Sequence, residues 1–89
     1  MKVEYDESKN QRNIEARGLP FTLVDRFDFD GALEVEQLVK GERRYFALGH
    51  IEGRLHVLVY TLRGDAVRVT SLRKANKREV RKYGAFCES

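Results

Sequence analysis

The sequence predicts a single α+β domain over residues 1–89, built on a twisted antiparallel sheet, and three observations support this fold class. With 42% hydrophobic residues, the chain can bury one modest core but has no room for a second. Over residues 32–73 the apolar side chains recur with a period of two, which is typical of strands. Gly41, Gly53 and Gly64 divide this segment into short runs, and such spacing favours antiparallel hairpins over crossovers.

The start of the chain is predicted to form a strand and a surface helix. Residues 2–5 alternate as in a strand, and the side chain of Asp6 can cap a helix that runs to about Arg17. Gly18 supplies the left-handed residue that ends this helix. Because the helix is mostly polar, it should lie on the surface. One stripe of it carries Lys9, Asn13 and Arg17.

A second, short helix and four strands follow. Pro20 presets the backbone angle at the start of this helix, whose apolar side chains must contribute to the core. These side chains are Phe21, Val24 and Phe27. Asp28, Asp30 and Gly31 mark the turn into the sheet. The candidate strands cover residues 33–39, 44–51, 54–62 and 65–72.

The last strand and the final helix carry the most informative residues. Strict alternation places Val67, Val69 and Ser71 on one face of the strand and Arg68, Thr70 and Leu72 on the other. Arg68 therefore either reaches solvent at an edge or lines a concave site for a polyanion. Asn76 can cap the final helix, with Glu79 completing a capping-box pattern. The expected order is β-α-α-β-β-β-β-α, with helices packed on one face and an open basic face on the other.

Positive charge is concentrated near the end of the chain. Residues 63–83 contain eight lysines or arginines against two acids, whereas the rest of the chain is slightly acidic. A basic zone on a near-neutral body favours a polyanionic partner, most often RNA or DNA. The alternative is a solvated helix face without a partner.

Several functional classes are disfavoured by what the sequence lacks. Cys87 is the single cysteine, so no internal disulfide can form and the cytoplasm is the expected location. No apolar run approaches the roughly 18 residues of a membrane span, so we expect no membrane partner. No metal-ligand cluster or glycine-rich phosphate loop is present, so we expect no cofactor. His50 and His56 are either a catalytic pair or, more often in apolar strands, structural residues.

RNA can be cut without metal or histidine, because its own 2′-hydroxyl can attack the adjacent phosphorus and expel the 5′-oxygen. The protein must then align the attack, stabilise the dianionic phosphorane and move two protons. Arginine suits the second task, since its guanidinium matches two phosphate oxygens and stays charged. Glu79 or Tyr83 could move a proton if local charges tune them, although Glu79 could equally serve as a helix cap or ion-pair partner.

The same residues carry a family resemblance over nearly the whole chain. The opening YDESKNQRNIEARG, with Phe21, is similar to the W-D, K, N and H-G pattern of the BrnT toxins of bacterial toxin–antitoxin systems. RYFALG, Gly53 and VLVYT resemble the family's R-F-x-A-L-G segment and the strand after it. RVTSLRKANKREVRKY matches the final signature R-I-I-S-A-R-x-A-x-x-x-E-x-x-x-Y. The matching residues of that signature are Arg68, Ser71, Arg73, Ala75, Glu79 and Tyr83.

The resemblance implies a RelE-like fold and a ribonuclease toxin that inhibits translation. It also implies a partner, a BrnA-like antitoxin with a ribbon-helix-helix domain that neutralises the toxin. In the complex, only this antitoxin would contact operator DNA. Two positions depart from the family pattern: Tyr5 replaces the opening tryptophan, and Arg17 stands where the family has histidine. If that histidine carries a proton in relatives, Arg17 would retain only phosphate binding, because its guanidinium stays charged.

The favoured prediction is a metal-independent endoribonuclease whose arginines converge on one hollow sized for a phosphodiester. The predicted catalytic residues are Arg68, Arg73, Glu79, Tyr83 and Arg44. The predicted RNA-binding residues are Lys9, Asn13, Arg17, Lys74, Lys77, Arg78 and Arg81. Two alternatives stay open: a non-catalytic module that binds RNA or acts as a corepressor through its antitoxin, and a structural protein whose basic helix docks an acidic chain.

Overall fold

A computed structural model describes residues 2–88 as five strands, two α-helices and one 3₁₀ helix. In chain order these are β1 (Lys2–Tyr5), α1 (Glu7–Arg17), the 3₁₀ helix (Phe21–Arg26), β2 (Leu33–Val39), β3 (Glu42–Ile51), β4 (Arg54–Arg63), β5 (Ala66–Lys74) and α2 (Lys77–Glu88). The strands begin and end within two residues of the predicted bounds. No helix in the described part of the chain is long and apolar enough to cross a membrane.

The strands form one sheet in the order β1-β5-β4-β3-β2. From β2 to β5 they follow one another as an antiparallel meander, as the glycine turns predicted. β1 instead pairs in parallel with β5, with Val3 opposite Val67. The prediction of a fully antiparallel sheet is therefore wrong. After β1, the chain crosses to β2 at the opposite edge of the sheet. The meander from β2 to β5 then ends beside β1, with β5 running in the same direction as β1.

Two hairpin turns are tight because both of their central residues adopt positive φ. Lys40 and Gly41 have φ of 50° and 79°, and Glu52 and Gly53 have φ of 49° and 80°. This is the conformation of type I′ turns, whose twist matches that of the flanking strands. Glycine reaches this region without a clash from a Cβ atom, which explains the second residue of each turn.

The helix ends are those predicted from the sequence. Asp6 accepts a hydrogen bond from the Ser8 N–H at the start of α1, and Gly18 ends that helix with φ of 69°. At the start of α2, Asn76 Oδ1 accepts from the Glu79 N–H while Glu79 Oε1 accepts from the Asn76 N–H. At the start of each helix, a capping side chain therefore satisfies one of the exposed amides of the first turn.

The main core lies on one face of the sheet, the first face, beneath the 3₁₀ helix. Phe21 and Val24 are fully buried and Phe27 is nearly so, as predicted for the short helix. They pack on strand residues whose alternation points them to this face. The strand residues are Ala47, Ile51, Leu58, Tyr60, Val67, Val69 and Leu72.

A smaller cluster lies on the opposite side of the sheet, the second face. Tyr83 of α2 packs there against Leu48, Leu55 and Val57, which alternate with the residues of the first face. Helices therefore pack on both faces, and the prediction that they share one face is wrong. The physical reason is that Leu55 and Val57 are apolar on the face expected to be open, and α2 removes them from water.

α1 lies beside β5 and is held there by two buried asparagines rather than by apolar contacts. Asn13 Nδ2 donates to the carbonyl oxygens of Leu19, at 2.8 Å, and Leu72, at 2.9 Å. Asn10 Oδ1 accepts from the N–H of Phe21 at 2.8 Å. Asparagines three positions apart share one side of a helix. The polar sequence of α1 therefore conceals a buried side, which the prediction of a surface helix missed.

β5 contains a bulge at Thr70, which pairs with no residue of β4. The two steps from Val69 to Ser71 along β5 correspond to one step along β4. After the bulge the alternation of β5 reverses, so Leu72 joins Val69 in the main core and Ser71 faces the other side. The predicted faces of Ser71 and Leu72 are wrong, because strict alternation has no place for an extra residue.

Candidate functional site

A polar hollow of about 320 Å³ opens on the second face, at the end of the sheet away from the Tyr83 cluster. Three neighbouring strands form its floor with Arg44, Thr61 and Arg68, the last two being directly opposed. The full lining of the polar hollow is Asp6, Lys9, Glu42, Arg44, Thr61, Arg63, Arg68, Val69 and Thr70. Four cations against two carboxylates make the hollow positive, which suits a phosphodiester.

The two floor arginines are only loosely neutralised by carboxylates. Arg68 Nη1 lies 3.7 Å from Glu4 Oε1, and Arg44 Nε lies 3.7 Å from Glu42 Oε1, which is beyond hydrogen-bond distance in both cases. Arg44 Nε is buried and has no hydrogen-bond acceptor within residues 2–88. Buried donors are normally satisfied, so this N–H is an exception among the described residues, with its nearest carboxylate oxygen, that of Glu42, 3.7 Å away.

A second hollow, the helix channel, continues from the polar hollow between α1 and the bulge of β5. It encloses about 290 Å³ and shares Lys9 and Thr70 with the polar hollow. Arg17 is fixed along it, because its Nη1 donates to Asn13 Oδ1 at 2.8 Å. The full lining of the helix channel is Lys9, Arg12, Asn13, Ala16, Arg17, Thr70 and Ser71. The structure thus brings the predicted stripe of Lys9, Asn13 and Arg17 together in one place.

Arg73 also faces the second side of the sheet, opposite Val57, but a carboxylate engages it fully. Its Nη1 and Nη2 donate to the two carboxylate oxygens of Glu79 at 2.8 and 2.7 Å. The Arg73 guanidinium, together with the Asn76 N–H, lowers the pKa of Glu79 to about 2. The carboxylate therefore stays ionised, and the pair ties α2 to β5.

Tyr83 is a second tie between α2 and the sheet. Its hydroxyl donates to the carbonyl oxygen of Gly31 at 2.6 Å, and its ring meets His50 edge-on with ring centres 5.2 Å apart. Burial, and then the thiol of Cys87, raise the pKa of Tyr83 above its ordinary value. A tyrosine whose proton is already donated to the backbone is poorly placed to move one for a substrate.

Arg68 and Arg73 do not share a hollow, so the predicted convergence on one phosphate site is wrong. Their partners on β4, Thr61 and Val57, are four residues apart, which is roughly 13 Å along a strand. Arg73 and Glu79 instead border an apolar groove of about 150 Å³ beside α2. The lining of this apolar groove is Leu33, Val35, Phe46, Leu48, Val57, Arg73, Glu79 and Lys82.

Of the eight basic residues in 63–83, Arg63 and Arg68 line the polar hollow and the other six lie apart from it. Lys77 and Arg81 line a different hollow beside the start of α2, and Arg78 is exposed on that helix. Lys74 lies opposite His56 at the end of β5 and by alternation belongs to the first face. The charge concentrated along the sequence is therefore dispersed in space, because β5 and α2 direct their side chains differently.

The two histidines do not form a pair. His50 contacts Tyr83 on the second face, whereas His56 is buried among residues of the first face. Nδ1 of His56 lies 2.8 Å from the carbonyl oxygen of Arg54, and burial lowers the pKa of the ring. Within residues 2–88, no group of three His, Cys, Asp or Glu side chains could hold a metal ion.

Sequence reasoning predicted a site role for only five of the residues that line the two hollows, and those it missed include Arg12, Thr61, Arg63 and Thr70. Arg12 follows Lys9 by three positions and so lies on the same side of α1, a spacing that the sequence does show. Arg63 and the two threonines carry no such signal. Threonine is common in strands for packing reasons, so only the strand register identifies these positions.

The chain is similar to known proteins in sequence and in structure. A family model described as "Ribonuclease toxin, BrnT, of type II toxin-antitoxin system" matches residues 5–79, which include every residue of both hollows. The crystal structure of the Brucella abortus ribonuclease toxin, BrnT, is similar with a TM-score of 0.71 and 30% sequence identity. The similarity covers 86% of this chain and 99% of that one. No curated protein sequence matches the chain.

Proposed function

Since the chain belongs to the BrnT family of ribonuclease toxins of type II toxin–antitoxin systems, we propose that it cuts RNA in the polar hollow, without a metal ion, and thereby stops translation. The observation that carries this proposal is the floor of the hollow. Arg44 and Arg68 line this floor on either side of Thr61, and their nearest carboxylate oxygens lie 3.7 Å away, beyond hydrogen-bond distance. Two guanidinium groups in this arrangement suit the oxygens of one phosphodiester.

The proposed reaction is an internal transesterification. The 2′-oxygen of the RNA forms a bond to phosphorus while the bond to the 5′-oxygen breaks, which leaves a 2′,3′-cyclic phosphate and a 5′-hydroxyl. Arg44 and Arg68 would stabilise the extra negative charge of the phosphorane, because their guanidinium groups stay charged and carry several N–H donors. Removing one such donor typically costs about 10²–10³ in rate.

Two protons must move during this reaction, and we assign one group to each: Lys9, which lines the polar hollow, and Glu4, which lies beside Arg68 but outside the lining of the hollow. Glu4 is the carboxylate beside Arg68 and is positioned to accept the proton of the 2′-hydroxyl. Lys9 lines the polar hollow and can donate a proton to the departing 5′-oxygen. The contacts of Arg73, Glu79 and Tyr83 favour a different role for these predicted catalytic residues, which is to hold α2 on the sheet.

The test is to incubate the purified protein with single-stranded RNA in EDTA and to analyse the ends of the products. We expect cleavage with cyclic phosphate ends, lost in Arg68→Gln. Arg26→Gln is a matched control, since Arg26 also pairs with a carboxylate, that of Glu52, but lies outside both hollows. Cleavage that requires an added divalent ion would contradict the metal-independent mechanism.

A non-catalytic RNA-binding or corepressor function is the second candidate. One observation favours it: no histidine lines either hollow within residues 2–88, and Arg17 occupies the position at which the family has histidine. An arginine binds phosphate but does not exchange protons at neutral pH. RNA that is retarded in a gel yet stays intact in the same EDTA experiment would support this function over cleavage.

The partner we propose is the antitoxin that a type II toxin requires, specifically a BrnA-like protein with a ribbon-helix-helix domain. An acidic segment of it would neutralise the toxin by covering the positive polar hollow, and operator DNA would be contacted only through the antitoxin. The resemblance to RelE-type ribonucleases and the cytoplasmic location stay predictions. Co-expression with the product of a neighbouring reading frame tests the partner, since a true antitoxin restores growth and co-purifies with the chain.

A further inference from the structure

The helix channel is a positive surface that the proposed reaction does not use. It begins where the polar hollow ends, since Lys9 and Thr70 border both. Its lining contains the three cations Lys9, Arg12 and Arg17 and no carboxylate, whereas the polar hollow includes two acids. Hydroxyls of Thr70 and Ser71 add further donors along one side. The channel therefore presents cations and hydrogen-bond donors in a continuous line leading away from the reaction site.

Two features give this surface a fixed shape. Arg17 is anchored by Asn13 Oδ1, and Asn13 is itself buried and held by the carbonyl oxygens of Leu19 and Leu72. The bulge at Thr70 supplies the other side, because it places two successive residues, Thr70 and Ser71, at the mouth of the channel. Ala16 is the smallest lining side chain and leaves room above it. Pre-oriented donors of this kind lose little entropy when a phosphate binds.

The competing path runs along α2, whose cations dominate the sequence. Those cations do not border the polar hollow: Lys77 and Arg81 line a separate hollow, and Lys82 lines the apolar groove with the Arg73–Glu79 pair. Towards α2 an RNA strand passes Val57, Phe46 and the carboxylate of Glu79. Towards α1 much of the surface is the aliphatic part of the side chains, but the lining includes three cations and no carboxylate. The α1 path is therefore continuous in charge and the α2 path is not.

We infer that the helix channel is a phosphate subsite for the nucleotide next to the cleaved bond, so that single-stranded RNA runs along α1 and the β5 bulge. The inference rests on the proposed function, because it takes the polar hollow as the reaction site. Arg12 and Arg17 bind the flanking phosphate, and Thr70 and Ser71 donate to its oxygens or to the ribose. This path identifies single-stranded RNA of at least three nucleotides as the preferred substrate class.

The probe is a fluorescent, 2′-O-methylated hexauridylate, which cannot be cut because its 2′-oxygens carry no proton. Its dissociation constant is measured at several salt concentrations for the full chain and for Arg12→Gln, Arg17→Gln, Arg81→Gln and Arg26→Gln. Each variant removes one positive charge, so the net charge is matched. We expect Arg12→Gln and Arg17→Gln each to weaken binding several-fold and to lower the slope of log K against log salt by about 0.7. Arg81→Gln and Arg26→Gln should bind like the parent chain.

Two measurements separate this inference from the proposed function. Cleavage of a dinucleoside monophosphate, which has one phosphate, should be unchanged in Arg26→Gln and lost in Arg68→Gln. Three results would overturn the inference that the helix channel binds RNA. The first is parent-like hexauridylate binding by both Arg12→Gln and Arg17→Gln. The others are an equal loss of binding in Arg81→Gln and no binding by the parent chain. Absence of cleavage by a parent chain that still shows the Arg12 effect would overturn the ribonuclease mechanism and leave the channel standing. Using two variants guards against a folding defect in Arg17→Gln, since it is Arg17 and not Arg12 whose side chain donates to Asn13 Oδ1.

Discussion

Arg68 and Arg73 are five residues apart on β5, yet both face the same side of the sheet because the bulge at Thr70 lies between them. In a regular strand an odd separation would put them on opposite faces. The bulge therefore gives this side of the sheet two arginines with different surroundings. Arg68 has a loose contact with Glu4 in a polar hollow, whereas Arg73 is fully engaged by Glu79.

The first prediction separates the roles of these two arginines. Arg68→Gln should lower kcat/KM for RNA cleavage by about 10²-fold or more, with the free energy of unfolding changed by less than about 1 kcal/mol. Arg73→Gln should do the reverse, destabilising the fold by about 1–3 kcal/mol because it breaks a two-bond contact to a charged partner. Initial cleavage rates and urea unfolding of both variants provide the check. A large loss of activity in an Arg73→Gln variant of unchanged stability would contradict this assignment and show that Arg73 takes part in the reaction.

The second prediction concerns acid stability and follows from the pKa of Glu79. Arg73 lowers this pKa from 4.5 to about 2 in the folded protein, so the folded state favours the ionised carboxylate. The resulting stabilisation is present above pH 4.5 and is lost as the pH falls towards 2. Because the pair is partly solvated, we expect a loss of only about 1 kcal/mol. Urea unfolding at pH 6 and pH 2.5 should show this loss in the parent chain relative to Glu79→Gln, in which the group cannot titrate. An equal pH dependence in both proteins would contradict it.

The third prediction concerns the buried side of α1. Asn13→Ala removes the donors to the carbonyl oxygens of Leu19 and Leu72 and leaves both without this partner. Each unsatisfied buried group costs about 1–3 kcal/mol, so we expect a loss of at least 2 kcal/mol in the free energy of unfolding. Gln11→Ala is the control on the same helix, because its side chain bonds only to exposed Glu15 and should change stability by less than about 0.5 kcal/mol. Comparable unfolding midpoints for the two variants would show that Asn13 is not an anchor.

The elements of this fold could be predicted from local patterns, whereas the composition of the site could not. Period-two alternation and the glycine turns gave strand bounds accurate to two residues, and Asp6 and Asn76 marked the helix starts. The site depends on which residues face each other across strands. That register includes a bulge at Thr70, and nothing in the local sequence distinguishes this threonine from its neighbours.

The charge pattern of the sequence also did not locate the site. The excess of cations around α2 was the strongest signal in the sequence, but the arginines of the polar hollow come from three different strands. Arg44 was predicted as a site residue and Arg63 was not, and only the pairing of β3, β4 and β5 shows that both line one hollow with Arg68. A linear charge run identifies the class of partner, because net charge acts at long range, but not the place where it binds.

The fourth prediction assigns the two proton transfers. Replacing the bridging 5′-oxygen of the cleaved bond with sulfur creates a thiolate leaving group, which departs without protonation because a thiol is far more acidic than an alcohol. Lys9→Gln, which lacks the proposed proton donor, should cut ordinary RNA slowly and the sulfur substrate at nearly the parent rate. Glu4→Gln, which lacks the proposed acceptor, should be slow on both substrates, because the 2′-hydroxyl must still lose its proton. Single-turnover rates on the two substrates measure the rescue directly. If both variants or neither were rescued by sulfur, Lys9 and Glu4 would be phosphate-binding or positioning residues rather than the acid and base.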